Sequence, residues 1–203
     1  MLLRPIIFSK PMVLAIMDDR KSVTRRTRGL DKINHSPDLY YFQFQEHNKA
    51  YFSTPSGDTI TIKCPYGQPG DFLWVRETFQ IVPPNMVFFK ADPENNADHH
   101  WKPSIHMPKQ AARIILQVED IRLERLHDIT EGGAFAEGVE LITNNSAENT
   151  KVFMSSASYI SSFKILWNKI KGAGSWEANP WVWVITFKPI SKTGWPVYLK
   201  NQV

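Results

Sequence analysis

From residue 38 to 63 short β-prone runs alternate with turn residues, and that spacing constrains the fold more than any other feature. Leu39-Tyr40-Tyr41-Phe42-Gln43-Phe44, Ala50-Tyr51-Phe52 and Thr59-Ile60-Thr61-Ile62 are separated by Asn48-Lys49 and by Pro55-Ser56-Gly57-Asp58. Aromatic and β-branched runs punctuated this way predict an antiparallel meander. Further strands are expected over Phe72 to Phe79, after the turn Pro65 to Asp71, and over Val87 to Lys90. A long strand is expected from Ala112 to Leu126, and a closing one from Trp181 to Phe187.

Helical signals are few and scattered. Met12 to Asp19 follows a candidate N-cap, Ser9, with Pro11 in its first turn and Met12, Ala15 and Ile16 as its apolar stripe. Ile129-Thr130-Glu131 opens a helix to about Glu137, with Gly138 suited to its C-terminal cap. Tyr159 to Ile170 carries Phe163, Leu166, Trp167 and Ile170 at helical spacing. Asp92 to Pro108 and residues 143 to 150 read as polar loops. Regular β–α alternation is missing, which excludes a doubly wound sheet. The expected class is α+β: a small, partly closed β-barrel with flanking helices.

The 203 residues fit one domain, or one domain with a sizeable insertion, and 42% hydrophobic content supplies a core. A single cysteine, Cys64, excludes an internal disulfide and suggests a buried thiol in a reducing compartment. No apolar run approaches the roughly 20 residues of a membrane span, so a cytoplasmic protein is expected. A net charge of +4 permits an anionic partner without demanding one.

Part of that charge is concentrated in Arg20, Lys21, Arg25, Arg26 and Arg28. A solvated helix end would account for it, and so would a site. Within the run Lys21 and Thr24 place an amine near a hydroxyl, and a desolvated lysine can take a hydroxyl proton. Elsewhere, His99, His100 and His106 lack a metal-binding pattern, and no glycine-rich phosphate loop occurs. No metal or cofactor is expected.

The segment Met12 to Arg26 resembles the opening of the ASCH domain family, a helix followed by a GRKTxTxR pattern. Pro69-Gly70-Asp71 before Leu73-Trp74-Val75 resembles that family's G-D-x-L-x-V strand. Thr130-Glu131 through Ala136-Glu137-Gly138 and Trp183 to Phe187 resemble its later helix and last strand. Tyr66 to Thr78, Trp101 to Pro108 and Gly172 to Trp176 are similar to larger bacterial and phage ASCH proteins. Asp19 stands where the motif has glycine, Ser22 replaces its first threonine, and Gly132 and Gly133 depart from its later helix.

The resemblance implies a PUA-like barrel over the whole chain, 1–203, as one ASCH-like domain with an insertion at about 30–62. It also implies a cleft for RNA or modified nucleosides. One small bacterial member removes the acyl group from N4-acetylcytidine with a lysine, a threonine and a glutamate, which match Lys21, Thr24 and Glu137. Thr24 would attack the acyl carbon or position a water, Lys21 would accept a proton, and Glu137 would serve the cytosine amine. Arg26 is a candidate to hold the oxyanion or Glu137, and Arg25 and Arg28 are read as bystanders.

Tyr66, Trp74 and Trp101 are candidate stacking surfaces, and Glu77 a candidate at the barrel mouth. Lys102, Ser104 and His106 could close over a ligand, while Trp167, Trp181 and Trp183 are assigned to the core. The expected partner is a small modified nucleoside or base, with RNA as a further candidate and no membrane. A non-catalytic RNA- or base-binding module and an ASCH-type ribonuclease are the rival readings, and oligomeric state stays open.

Overall fold

The structure is a computed structural model that describes residues 1–94, 100–142 and 158–200. His99 and the expected loop at 143–150 lie outside the described residues. The chain begins with β1 (Leu3–Ile7), α1 (Lys10–Met17), β2 (Val23–Arg26) and the short α2 (Asp31–Asn34). The strands β3 (Tyr41–Glu46), β4 (Lys49–Ser53), β5 (Thr59–Lys63), β6 (Phe72–Arg76), β7 (Phe79–Val82) and β8 (Met86–Phe89) follow. Then come β9 (Ile115–Arg125), α3 (Glu131–Ala136), α4 (Tyr159–Lys171), β10 (Trp181–Ser191) and α5 (Val197–Lys200). The strands form sheets of five, three and two, and the larger sheet has the order β1-β6-β9-β10-β2. This is a mixed α+β fold. Among the described residues no sheet closes into the expected barrel.

Two compact units share the chain, and β9 and β10 run from one into the other. The first comprises Met1–Asp19, Tyr66–Asp120 and Thr186–Val203. Here β1 runs parallel to β6, with Leu3 opposite Phe72 and Ile7 opposite Arg76. The antiparallel partner of β6 is β9, with Trp74 opposite Ile115. Asp71 ties the start of β6 to the N-terminus, because its Oδ1 accepts the Leu2 amide at 2.7 Å. Gly67 makes that turn possible: its φ is +97°, and a Cβ there would lie 2.7 Å from Asp71 Oδ2. The core of this unit gathers Phe72, Trp74, Phe79, Phe89, Met107, Ala112, Ile115 and Leu199.

The second unit comprises Arg20–Pro65 and Ile121–Ile185. It contains the expected meander, with β3-β4-β5 antiparallel in that order. Its core joins Val23, Leu126, Ile129, Ala134, Phe163, Trp167, Trp176, Val182 and Val184. Glu131 holds the start of α4, where its Oε2 accepts the Tyr159 amide at 2.8 Å.

Helix faces differ in detail from the periodicity. In α1 the buried residues are Val13, Ala15 and Ile16, with Met12 only half-buried. In α4 Phe163 and Trp167 are buried, but Ile170 is 51% exposed, two residues before Gly172 ends the helix. Trp183 is fully buried and Trp167 nearly so. Trp181 is half-buried against Phe42 and Phe52. Cys64 is a buried free thiol.

Candidate functional site

The second unit brings Lys21 and Glu137 together across 116 residues. The chain leaving α1 turns at Asp19, whose φ of +58° is the left-handed conformation that glycine adopts most readily. This is the position where the ASCH motif carries glycine. Within the first unit, the Asp19 carboxylate is held by Lys192 Nζ at 2.6 Å. On the other side of the site, Thr130 caps α3 by accepting the Gly133 amide at 3.0 Å. The helix ends at Glu137, and Gly138 follows at φ +76°. Lys21 and Glu137 then form an isolated antiparallel bridge, supported by Ser22 N donating to Ala136 O at 3.0 Å.

Lys21 Nζ donates to Glu137 Oε2 at 2.7 Å, to Glu137 O at 2.8 Å and to Val23 O at 2.8 Å. Its side chain is fully buried and that of Glu137 nearly so. Burial is the largest influence on the amine and lowers its pKa from the ordinary 10.5. The charge and hydrogen bond of Glu137 oppose this, while Arg26 and Arg25 add to the lowering. An ammonium has three donors, and three acceptors receive them here. The pair can therefore hold a proton on the amine or pass it along a 2.7 Å bond.

Arg25, read from sequence as a bystander, belongs to this cluster. Its Nη1 lies 3.4 Å from Glu137 Oε1 and its Nη2 3.3 Å from Glu124 Oε2, with the side chain 2% exposed. Glu137 thus meets Lys21 through one oxygen and Arg25 through the other. Gly133 leaves room for the guanidinium, since a Cβ there would sit 3.1 Å from Arg25 Nη2. One of the two glycines of α3 is therefore explained by packing. Strand alternation could have flagged Arg25, which stands four residues after Lys21 and so shares its parity.

Thr24 and Arg26 fall on the other parity. Thr24 is 2% exposed, and its Oγ1 accepts from Arg26 Nε at 3.2 Å. The arginine seen holding Glu137 is Arg25, and the one seen at the Thr24 hydroxyl is Arg26. Arg28 is exposed.

The other candidates lie in the first unit. Trp74 is buried in its core with the Arg76 guanidinium 5.5 Å from the ring centroid, and Tyr66 is buried. Glu77 is 2% exposed and takes both Arg113 Nε and Nη2 at 2.9 Å. Burial raises its pKa, against the hydrogen bonds and charge of Arg113. Arg113 also reaches Asp92 Oδ1 at 2.6 Å. Trp101 is half-buried, and Lys102 is exposed and bridges to Phe79 through its backbone. Ser104 is half-buried and His106 exposed, both on one short 3₁₀ turn. A cleft of about 730 Å³ in this unit is lined by Gln110, Ser191, Thr193, Trp195 and neighbouring residues, none of them a sequence candidate.

Among the described residues no cluster of three His, Cys, Asp or Glu side chains could hold a metal ion, and no helix is long and apolar enough to cross a membrane. No family model, curated protein or solved structure matches the chain.

Proposed function

We propose that the chain is a PUA-like, ASCH-type amidohydrolase that removes the acyl group from N4-acylated cytosine nucleosides or bases. The observation that carries this reading is the buried contact between Lys21 Nζ and Glu137 Oε2. Two titratable groups far apart in sequence are desolvated together beside a hydroxyl-bearing strand, as acid–base chemistry requires.

In the resting site the Lys21 proton is shared with three acceptors. Burial and the fields of Arg25 and Arg26 favour the neutral amine, with Glu137 Oε2 2.7 Å away. Thr24 has the opposite strand parity to Lys21, so its hydroxyl must turn toward the neutral amine. The amine then takes the proton as Oγ1 attacks the acyl carbon. The Arg26 guanidinium, already at Thr24 Oγ1, supplies positive charge for the developing oxyanion. Glu137 relays the proton that Lys21 has gained, across the 2.7 Å contact, to the leaving N4; the C–N bond breaks and cytosine departs as the amine. Water then cleaves the acyl–threonine ester and releases the carboxylate.

A second reading is a non-catalytic PUA-like module that binds RNA or a modified base. The full set of acceptors around Lys21 favours it, because an ammonium so held is a structural cation rather than a free base. Loss of the acyl-cytosine absorbance from N4-acetylcytidine separates the two. The hydrolase reading expects turnover by the wild type and none by folded Lys21→Ala or Thr24→Ala. Equal inertness of all three, with RNA still bound, would sink it.

A further inference from the structure

The outer face of the β3-β4-β5 meander carries rings that the core does not use. The inner face is formed by Ala50 and Phe52, both fully buried, and by Ile62 and half-buried Ile60. Phe42, opposite Phe52, packs on that side against Phe52 and Trp181. Simple alternation would put Phe44 beside Phe42. A bulge between Phe42 and Phe44 inserts Gln43 and shifts the register, so that Phe44 stands opposite Tyr51 while Tyr41 stands opposite Ser53. Tyr51 and Ser53 share a parity, so Tyr41, Phe44 and Tyr51 all occupy the outer face. Phe44 and Tyr51 stack with centroids 4.4 Å apart and planes at 17°. Tyr41 is 58% and Phe44 55% exposed.

The next row on the same face is charged. Lys49 stands directly opposite Lys63, and Glu46 opposite Lys49 on the other side. Facing like charges repel across strands, and no ion pair among the described residues holds either lysine. Thr59 and Thr61 complete the face on β5. An anion between the lysines relieves their repulsion, and planar groups on the rings cover the apolar surface. One polymer presents phosphates and ring faces together.

We propose that this face binds single-stranded nucleic acid, with phosphates at Lys49 and Lys63 and bases stacked on Phe44 and Tyr41. The proposal is independent of catalysis at Lys21. Any base offers a ring face, so binding is expected to tolerate sequence. Two phosphates contacted give a slope of log affinity against log salt of about −1.4.

The test is fluorescence anisotropy with labelled 12-nucleotide single strands, as RNA and as DNA, and a duplex of the same sequence. Single strands of either kind are expected to bind more tightly than duplex. Phe44→Ser and Tyr41→Ser should each weaken binding by about tenfold. The double change Lys49→Gln with Lys63→Gln should flatten the salt dependence. Because these positions are exposed, circular dichroism should show folded variants. Excess free N4-acetylcytidine is expected to leave oligonucleotide binding unchanged, which separates this face from the Lys21 site. No binding, equal binding of duplex, or binding indifferent to all four side chains overturns the proposal. So does a dimer, seen by light scattering, that Phe44→Ser dissolves while oligonucleotides stay unbound.

Discussion

Lys21 is held by both ends of Glu137: its amine donates to the carboxylate at 2.7 Å and to the same residue's carbonyl at 2.8 Å. The backbone bridge between the two residues makes this possible, because it brings chain and side chain of Glu137 to one point. A lysine so enclosed has little freedom. Its protonation state is set by the balance between burial, aided by Arg26 and Arg25, and one carboxylate.

That balance predicts a pH dependence of stability. The folded-state pKa of Lys21 lies below its ordinary 10.5, so between the two values the unfolded chain binds more protons. The Lys21 contribution to stability therefore rises with pH across that window. Urea unfolding of wild type from neutral pH toward pH 10.5 should show the rise, and Lys21→Met should lack it. The variant should also lose about 3 kcal/mol at neutral pH, having stripped a buried carboxylate of a partner.

The same titration governs turnover in the proposed mechanism. Lys21 must be neutral to accept the Thr24 proton, so kcat/KM for N4-acetylcytidine should climb with pH. The midpoint is expected below 10.5, on the side to which burial pushes the amine. A flat profile over that range would remove Lys21 from the role of base.

Thr24 distinguishes attack from water positioning. With Thr24 as nucleophile, Thr24→Ala should lower kcat by at least about a thousandfold, while Thr24→Ser keeps the hydroxyl and most of the rate. Rapid quench and intact-protein mass spectrometry should then catch the acetylated wild type. Water positioning predicts no acylated protein.

Gly133 and Arg25 should behave as a pair. Gly133→Ala brings a Cβ to 3.1 Å from Arg25 Nη2 and 3.3 Å from Thr130 Oγ1, displacing the guanidinium from Glu137 and Glu124. A loss of about 1–3 kcal/mol is expected from overpacking, despite alanine's better helix propensity. In Arg25→Ala the same glycine substitution should cost less, and a double-mutant cycle by urea unfolding measures the difference.

In the first unit, Glu77→Ala should destabilise by about 3–5 kcal/mol, because it leaves the Arg113 guanidinium largely buried with only Asp92. Asp92→Ala should cost far less, since its side chain is 36% exposed and the pair with Glu77 remains. Thermal unfolding of both variants provides the comparison.

Local rules make much of this chain legible. The Ser9–Pro11 start of α1, the Thr130 cap and Gly138 stop of α3, and the three strands of the meander follow from short-range residue patterns. They are readable because caps, turns and alternation act over a few residues. Motif likeness singles out Lys21, Thr24 and Glu137, but spacing along the chain cannot say that Glu137 meets Lys21 by carboxylate and carbonyl alike.

Tertiary structure decided which arginine holds Glu137. Arg25 and Arg26 are chemically the same, and only the parity of β2 and the gap above Gly133 separate their roles. It also moved Phe44 to the outer face, because a bulge set by strand pairing overrides the alternation written in the sequence. Sequence by itself determined the α+β class, the meander and the helices α1, α3 and α4, through propensities that act locally; β1, α2, α5 and the break between β6 and β7 were not legible in it. The charged cluster and the exposed aromatic face were decided by register and close packing, which depend on segments far apart in the chain.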